Sequence, residues 1–178
     1  MGYTGGSQLE PTYRRMGDHT ESFQVDYDAT RLSYETLLSH FWKRAGPSER
    51  PYSRQYMSAV FYETDAQKHL ALETGHKALV GQGGELLTPV LKLSRFYRAE
   101  DYHQKYYLRR NAAVMLEFGA YTEREFEDST AAMWLNACVD GQLKPEALEA
   151  EMAHWELSEA ERQRMRALWQ KALGYRRR

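Results

Sequence analysis

Apolar positions recur along this chain with two different periods, and the period changes wherever turn residues fall. Ser22-Phe-Gln-Val-Asp-Tyr27 alternates polar and bulky residues with period two, the pattern of a half-buried strand. Asp28 to Arg31 read as a turn, and Ser33 then stands at a capping position ahead of Tyr34, Leu37, Leu38, Phe41 and Trp42. Those side chains share one helical face, and Gly46-Pro47 ends the stripe. A polar stretch from Ser48 to Arg54 leads into Ser58-Ala-Val-Phe-Tyr62, a second strand. Thr64-Asp-Ala-Gln67 has the form of a capping box and predicts a helix to about Val80, terminated by Gly81-Gln-Gly-Gly84. Leu86 to Leu93 reads as a third strand, with Pro89 placing it at an edge or a bulge.

Strands interleaved with helices predict an α+β fold, a mainly antiparallel sheet with helices on one face. Ala99 to Arg110 reads as a helix or a loop plus helix, with Glu100 and Asp101 near the positive helix end. From there the pattern is helical: Ala112 to Phe118, Asp128 to Val139, and a helix opened by Pro145 that carries Leu148, Met152 and Trp155. Ser158-Glu-Ala-Glu161 is a further capping box, starting a helix with Met165, Leu168, Trp169, Ala172 and Leu173 on one face. The chain is therefore expected to divide into residues 1–110 and a C-terminal helical subdomain, residues 111–178. Arg176-Arg177-Arg178 is expected to be a solvated end.

Composition narrows the function classes. A chain of 178 residues can bury one substantial core and a small appended subdomain. Its net charge of −1 argues against a nucleic-acid partner. No apolar run reaches membrane-spanning length and no basic-then-apolar leader opens the sequence, so a cytoplasmic protein without a membrane contact is expected. Cys138 is the single cysteine, which rules out an intramolecular disulfide; on a helical run ending at Gly141 it reads as a buried, inert thiol. His69 and His76 lie seven apart without a third ligand, so no metal is expected. The glycine clusters at Gly2–Gly6 and Gly81–Gly84 lack a phosphate-loop lysine, so no nucleotide or other cofactor is expected either.

One carboxylate stands out. Glu21 sits between a tyrosine turn and the mouth of a strand, where an acid can face a pocket and donate a proton. A solvated loop acid is the plainer alternative. Likewise Tyr13 reads as an exposed turn residue after Pro11, and Tyr56 as a core residue entering the second strand.

Ordered sequence words change the weight of these residues. Gly2-Tyr-Thr-Gly-Gly6, Pro11-Thr-Tyr-Arg14, Gly17-Asp-His-Thr-Glu21, Ser33-Tyr-Glu with Phe41-Trp42, Gln55-Tyr56 with Ser58-Ala59, and Ala99-Glu-Asp-Tyr-His-Gln104 follow one another in that order. In this the chain resembles the A-type peptide methionine sulfoxide reductase family, from roughly Met1 to Arg110. The resemblance implies a ferredoxin-like sandwich in which Glu21 is the proton donor and Tyr13 and Tyr56 bind the sulfoxide oxygen. It also implies reduction of methionine sulfoxide in proteins, a repair of oxidative damage, with thioredoxin as the reductant. The family's nucleophilic cysteine lies in a Gly-Cys-Phe-Trp-Gly word at the end of the first strand, upstream of Gly-Tyr-Thr-Gly-Gly. This sequence starts at the later word. It is therefore expected to be an N-terminally truncated, divergent member: an incomplete ferredoxin-like sandwich, with unpartnered strands, exposed apolar surface and poor folding alone.

Departures from the family words accompany the resemblance. Ala45-Gly46-Pro47 stands where the family has His-Asp-Pro, Pro51 where it has an acid, and Met57 where it has an arginine. The loop between Tyr13 and Glu21 is shorter, and Cys138 resembles no flexible resolving segment. They keep open a non-catalytic relative that binds methionine, its sulfoxide or a protein. A helical adaptor acting through residues 111–178, with Trp155 and Trp169, is a third reading.

Overall fold

The structure is a computed structural model and describes residues 1–81, 83–155 and 157–176. It divides into two compact units, Met1–Glu100 and Asp101–Arg178. Arg177 and Arg178 of the expected solvated end lie outside the described residues, as does Gln82.

In the first unit the helices form where their caps are written. Ser33 accepts from the Thr36 N–H and opens α1, Tyr34–Ala45, and Gly46 closes it with φ +62°. Thr64 and Gln67 exchange hydrogen bonds in a complete capping box at the start of α2, Asp65–Ala78. Each cap satisfies amide groups that the helix end cannot, a contribution of about 1 kcal/mol. The two helices pack together over a core of Leu38, Trp42, Val60 and Ala71, and the Trp42 Nε1–H donates to Thr74 Oγ1 at 2.9 Å. Gly75 permits this approach, because a Cβ there would lie 2.9 Å from the Trp42 ring.

The strands are shorter and more numerous than the alternation suggests. They are β1 (Gly2–Thr4), β2 (Thr20–Ser22), β3 (Val60–Tyr62), β4 (Val90–Lys92) and β5 (Tyr97–Arg98). β1 lies between β2 and β5 in an antiparallel sheet, with Tyr3 opposite Glu21 on one side and Tyr97 on the other. β3 and β4 form a separate parallel pair joined through α2, a compact β-α-β unit. The α+β class is as expected. The sheet, however, is in two pieces, three strands antiparallel and two parallel.

The expected strand from Ser22 to Tyr27 is corrected: only Ser22 belongs to a ladder. Its register pairs it with Gly2, where β1 starts, so Phe23 onward has no ladder partner among the described residues. Period-two alternation marks a chain suited to a sheet face, but a strand exists only where a neighbour bonds it. Phe23, Val25 and Tyr27 are accordingly exposed. The second and third strands also shrink at their ends, and Pro89 precedes β4 with its carbonyl accepting from the Val60 N–H at 2.9 Å.

The second unit is helical: α3 (Tyr106–Arg109), α4 (Ala112–Met115), α5 (Glu123–Asp128), α6 (Thr130–Asp140), α7 (Pro145–Met152) and α8 (Glu159–Arg176). Leu108, Val114, Phe126, Leu135, Leu148 and Trp169 meet in its core, together with Cys138, which has no exposed surface. Asn136 Oδ1 accepts from the Leu108 N–H at 3.1 Å and ties α3 to α6. The Ser158–Glu161 capping box opens α8 as expected. Arg162 bonds the carbonyls of Met152 and Trp155, drawing the end of α7 onto α8. α5 was not anticipated, although Thr122 and Glu125 form a capping box of their own.

Candidate active site

Three short stretches of the first unit converge beside β2. Glu21 is the middle residue of that strand and is half-buried. Its N–H donates to the Gln55 carbonyl at 2.9 Å, and its Oε1 accepts from Gln55 Nε2 at 2.8 Å. Thr20 Oγ1 adds a bond to the Arg54 carbonyl at 2.9 Å. Arg54 turns back to the Asp18 carbonyl at 2.9 Å and also reaches the Gly5 carbonyl. The segment before β3 is thus fastened to β2 by backbone and side chain together.

Tyr13 stands on a tight turn closed by the Arg15 N–H to the Thr12 carbonyl at 2.9 Å. Its own N–H donates to Glu100 Oε1 at 3.0 Å, and Glu100 Oε2 accepts from the hydroxyl of the buried Tyr3 at 2.6 Å. Tyr56 follows Gln55 directly, its N–H donating to Ser53 Oγ at 3.2 Å and its ring stacked on Tyr52. These anchors bring the Tyr13 and Tyr56 hydroxyls to 3.4 Å. The phenols are 41% and 47% exposed, enough for a ligand atom to reach them.

The contact has an electrostatic consequence. The Tyr56 phenol is pushed up to about 12, first by its hydrogen bond with Tyr13, then by partial desolvation and by the charges of Tyr13 and Glu21. Either hydroxyl can donate across this contact. Glu21 is tied to Gln55, the residue before Tyr56, and makes no hydrogen bond to either phenol among the described residues.

The loop from Gly5 to His19 is held as tightly. Asp18 accepts from the N–H groups of Ser7 and Gln8, and its carboxyl is lowered to about 2, mainly by the Ser7 N–H. His19 is buried; Nδ1 accepts from the Gly6 N–H at 3.2 Å, and Nε2 lies 2.7 Å from the Gln8 carbonyl.

An open cavity of about 970 Å³ adjoins this cluster. Glu21 lines it, with Phe23, Val25 and Tyr27 on one side, Tyr34, Leu37 and Phe41 of α1 on another, and Ser58 to Phe61 beyond. Tyr13 and Tyr56 stand outside that lining. Among the described residues no group of His, Cys, Asp or Glu could hold a metal ion. No helix among them is long and apolar enough to cross a membrane. Gln55, Arg54 and Asp18 were given no role from sequence, although Gln55 and Asp18 lie inside the ordered words and Arg54 precedes one.

The first unit is thus an α+β unit with a pair of phenols beside the segment fastened to β2. The particular family follows from comparison. The peptide methionine sulfoxide reductase family model matches residues 1–132, and this chain belongs to that family. The peptide methionine sulfoxide reductase of Drosophila melanogaster is 34% identical over 165 residues, covering 92% of this chain and 67% of the fly protein. Peptide methionine sulfoxide reductase A5 of Arabidopsis thaliana is 33% identical over 144 residues, covering 76% of this chain but only 56% of the plant protein. A peptide methionine sulfoxide reductase of Methanococcus maripaludis is 34% identical over 124 residues, covering 65% of this chain and 79% of the archaeal protein.

Proposed function

We propose that the site serves the thiol-dependent reduction of methionine sulfoxide in proteins and peptides. The observation that supports this reading is the pair of phenols at 3.4 Å, with Glu21 bonded to Gln55, the residue before Tyr56. A sulfoxide oxygen is a strong acceptor, and two hydroxyls at that spacing suit it. As a thiolate attacks the sulfur, negative charge grows on the oxygen and a carboxylic acid neutralises it. Over the full cycle two thiols become a disulfide, the sulfoxide becomes a thioether, and the oxygen leaves as water. Glu21 is assigned as the proton donor, Tyr13 and Tyr56 as the oxygen-binding pair, and thioredoxin as the reductant that resets the thiols. Repair of oxidised proteins in the cytoplasm is the matching role. The reductase assignment applies to residues 1–110, with 111–178 as a helical extension.

The attacking thiolate is not among these residues, since Cys138 is buried in the helical core. That observation supports a second reading, a relative that binds the sulfoxide without turning it over. Incubation with a methionine sulfoxide peptide and dithiothreitol, followed by chromatography for the reduced peptide, separates the two. Reduction stereoselective for the S epimer and lost in Glu21→Gln supports the enzyme. Calorimetric binding without reduction supports the binding relative, and neither binding nor reduction removes both.

A further inference from the structure

We propose that Gln55 is a positioning residue that assigns the proton of Glu21 to Oε2, the oxygen left to meet a substrate. The proposal rests on the reductase reading of the site. Gln55 and Glu21 are tied twice, through Glu21 N–H to the Gln55 carbonyl at 2.9 Å and through Gln55 Nε2 to Glu21 Oε1 at 2.8 Å. The first bond sets the distance between β2 and the loop, and the second stops rotation of the carboxyl group. An oxygen that already accepts an amide N–H is the carbonyl oxygen of the acid form. A proton placed on it would turn two donors toward each other. Oε1 is occupied by the Gln55 amide, which leaves Oε2 as the oxygen for a transferable hydrogen in the acid form.

Sequence adjacency makes the device economical. Gln55 precedes Tyr56, so one short stretch orients the acid and supplies a phenol. The stretch is itself held by Thr20 Oγ1 to the Arg54 carbonyl and by Arg54 to the Asp18 carbonyl. A shift of this segment would move carboxyl and phenol as one piece. A proton donor works only when its O–H bond points at the accepting atom, and a freely turning carboxyl spends much of its time misdirected.

The test uses the full chain and its Q55L, Q55E and E21Q variants, each checked for retained fold by amide dispersion and thermal melting. In the parent chain the Gln55 side-chain amide resonances are expected to move with pH in step with the Glu21 carboxyl carbon. In E21Q that step disappears. A Gln55 amide indifferent to Glu21 overturns the proposal. So does a Glu21 hydroxyl bonded to the Gln55 carbonyl, because the proton would then be held and not offered. The second readout is calorimetric affinity for a methionine sulfoxide peptide against its methionine counterpart. Q55L is expected to lose about ten-fold of the sulfoxide preference. Q55E is expected to lose at least as much, because its carboxyl shares the proton with Glu21. A preference unchanged in Q55L overturns the assignment. A parent chain with no preference removes the reductase reading instead, and the amide titration, which needs no ligand, then decides the role of Gln55. Should the Gln55 variants fail to fold, the parent and E21Q titrations remain decisive.

Discussion

Replacing Tyr13 by phenylalanine removes one oxygen atom and should be visible in the titration of a different residue. Tyr56 is held up at about 12 against the ordinary phenol value of 10.0, and the largest cause is its hydrogen bond to Tyr13. The charge on Tyr13 raises it further, whereas the charge of Glu21 is a lesser contribution. Tyr13→Phe abolishes both Tyr13 effects, so Tyr56 should fall most of the way back toward 10, and Glu21→Gln should lower it less. The sign of the linked stability follows. The folded value is raised above the unfolded one, so the contribution is complete below pH 10 and is lost as pH rises toward 12. In that window the parent chain loses stability through Tyr56, and Tyr13→Phe loses less. Carbon NMR of ring-labelled tyrosine, with Tyr56→Phe to assign the resonance, reads the midpoint directly. If Tyr13→Phe leaves Tyr56 near 12, or if Glu21→Gln lowers it more, the phenol pair is not the interaction described.

Other perturbations probe the scaffold. Gly75→Ala would ordinarily strengthen a helix, but here the added methyl group meets the Trp42 ring at 2.9 Å and Leu86 at 3.1 Å. The expected result is a net loss of about 1–3 kcal/mol in urea unfolding. Asn136→Ala leaves the buried Leu108 N–H without its acceptor and should cost about 1–3 kcal/mol, read by a lowered melting temperature. The Asp18 carboxyl is depressed from 3.8 to about 2, so its contribution is present above pH 3.8 and fades as pH falls toward 2. Asp18→Asn should flatten the acid limb of the stability profile over that interval, measured by circular dichroism.

The helices were legible because their signals are local. Ser33, Thr64 and Ser158 announce their helix starts within four residues, and each cap bond forms as written. Thr122 and Glu125 carried the same signal for α5 and went unread in a short polar stretch. The strands failed for the opposite reason. β1 is three residues with a glycine, and it becomes a strand only by pairing with Thr20–Ser22 and with Tyr97–Arg98, far along the chain. Phe23 to Tyr27 had the alternation but no ladder partner among the described residues. At the candidate site, Glu21, Tyr13 and Tyr56 stand in family words, whereas the bonds that hold Glu21 and Tyr13 come from Gln55 and Glu100, which are distant from them in sequence.

The bonding of His19 limits how a proton could travel. One neutral tautomer satisfies both ring nitrogens, with the hydrogen on Nε2 given to Gln8 and the lone pair on Nδ1 taken up by Gly6. The imidazole two residues from Glu21 is therefore already committed on both sides, and a relay through it would cut a tether of the glycine loop. Replacing His19 is therefore expected to loosen the Gly5–Gln8 loop first, read as a fall in melting temperature.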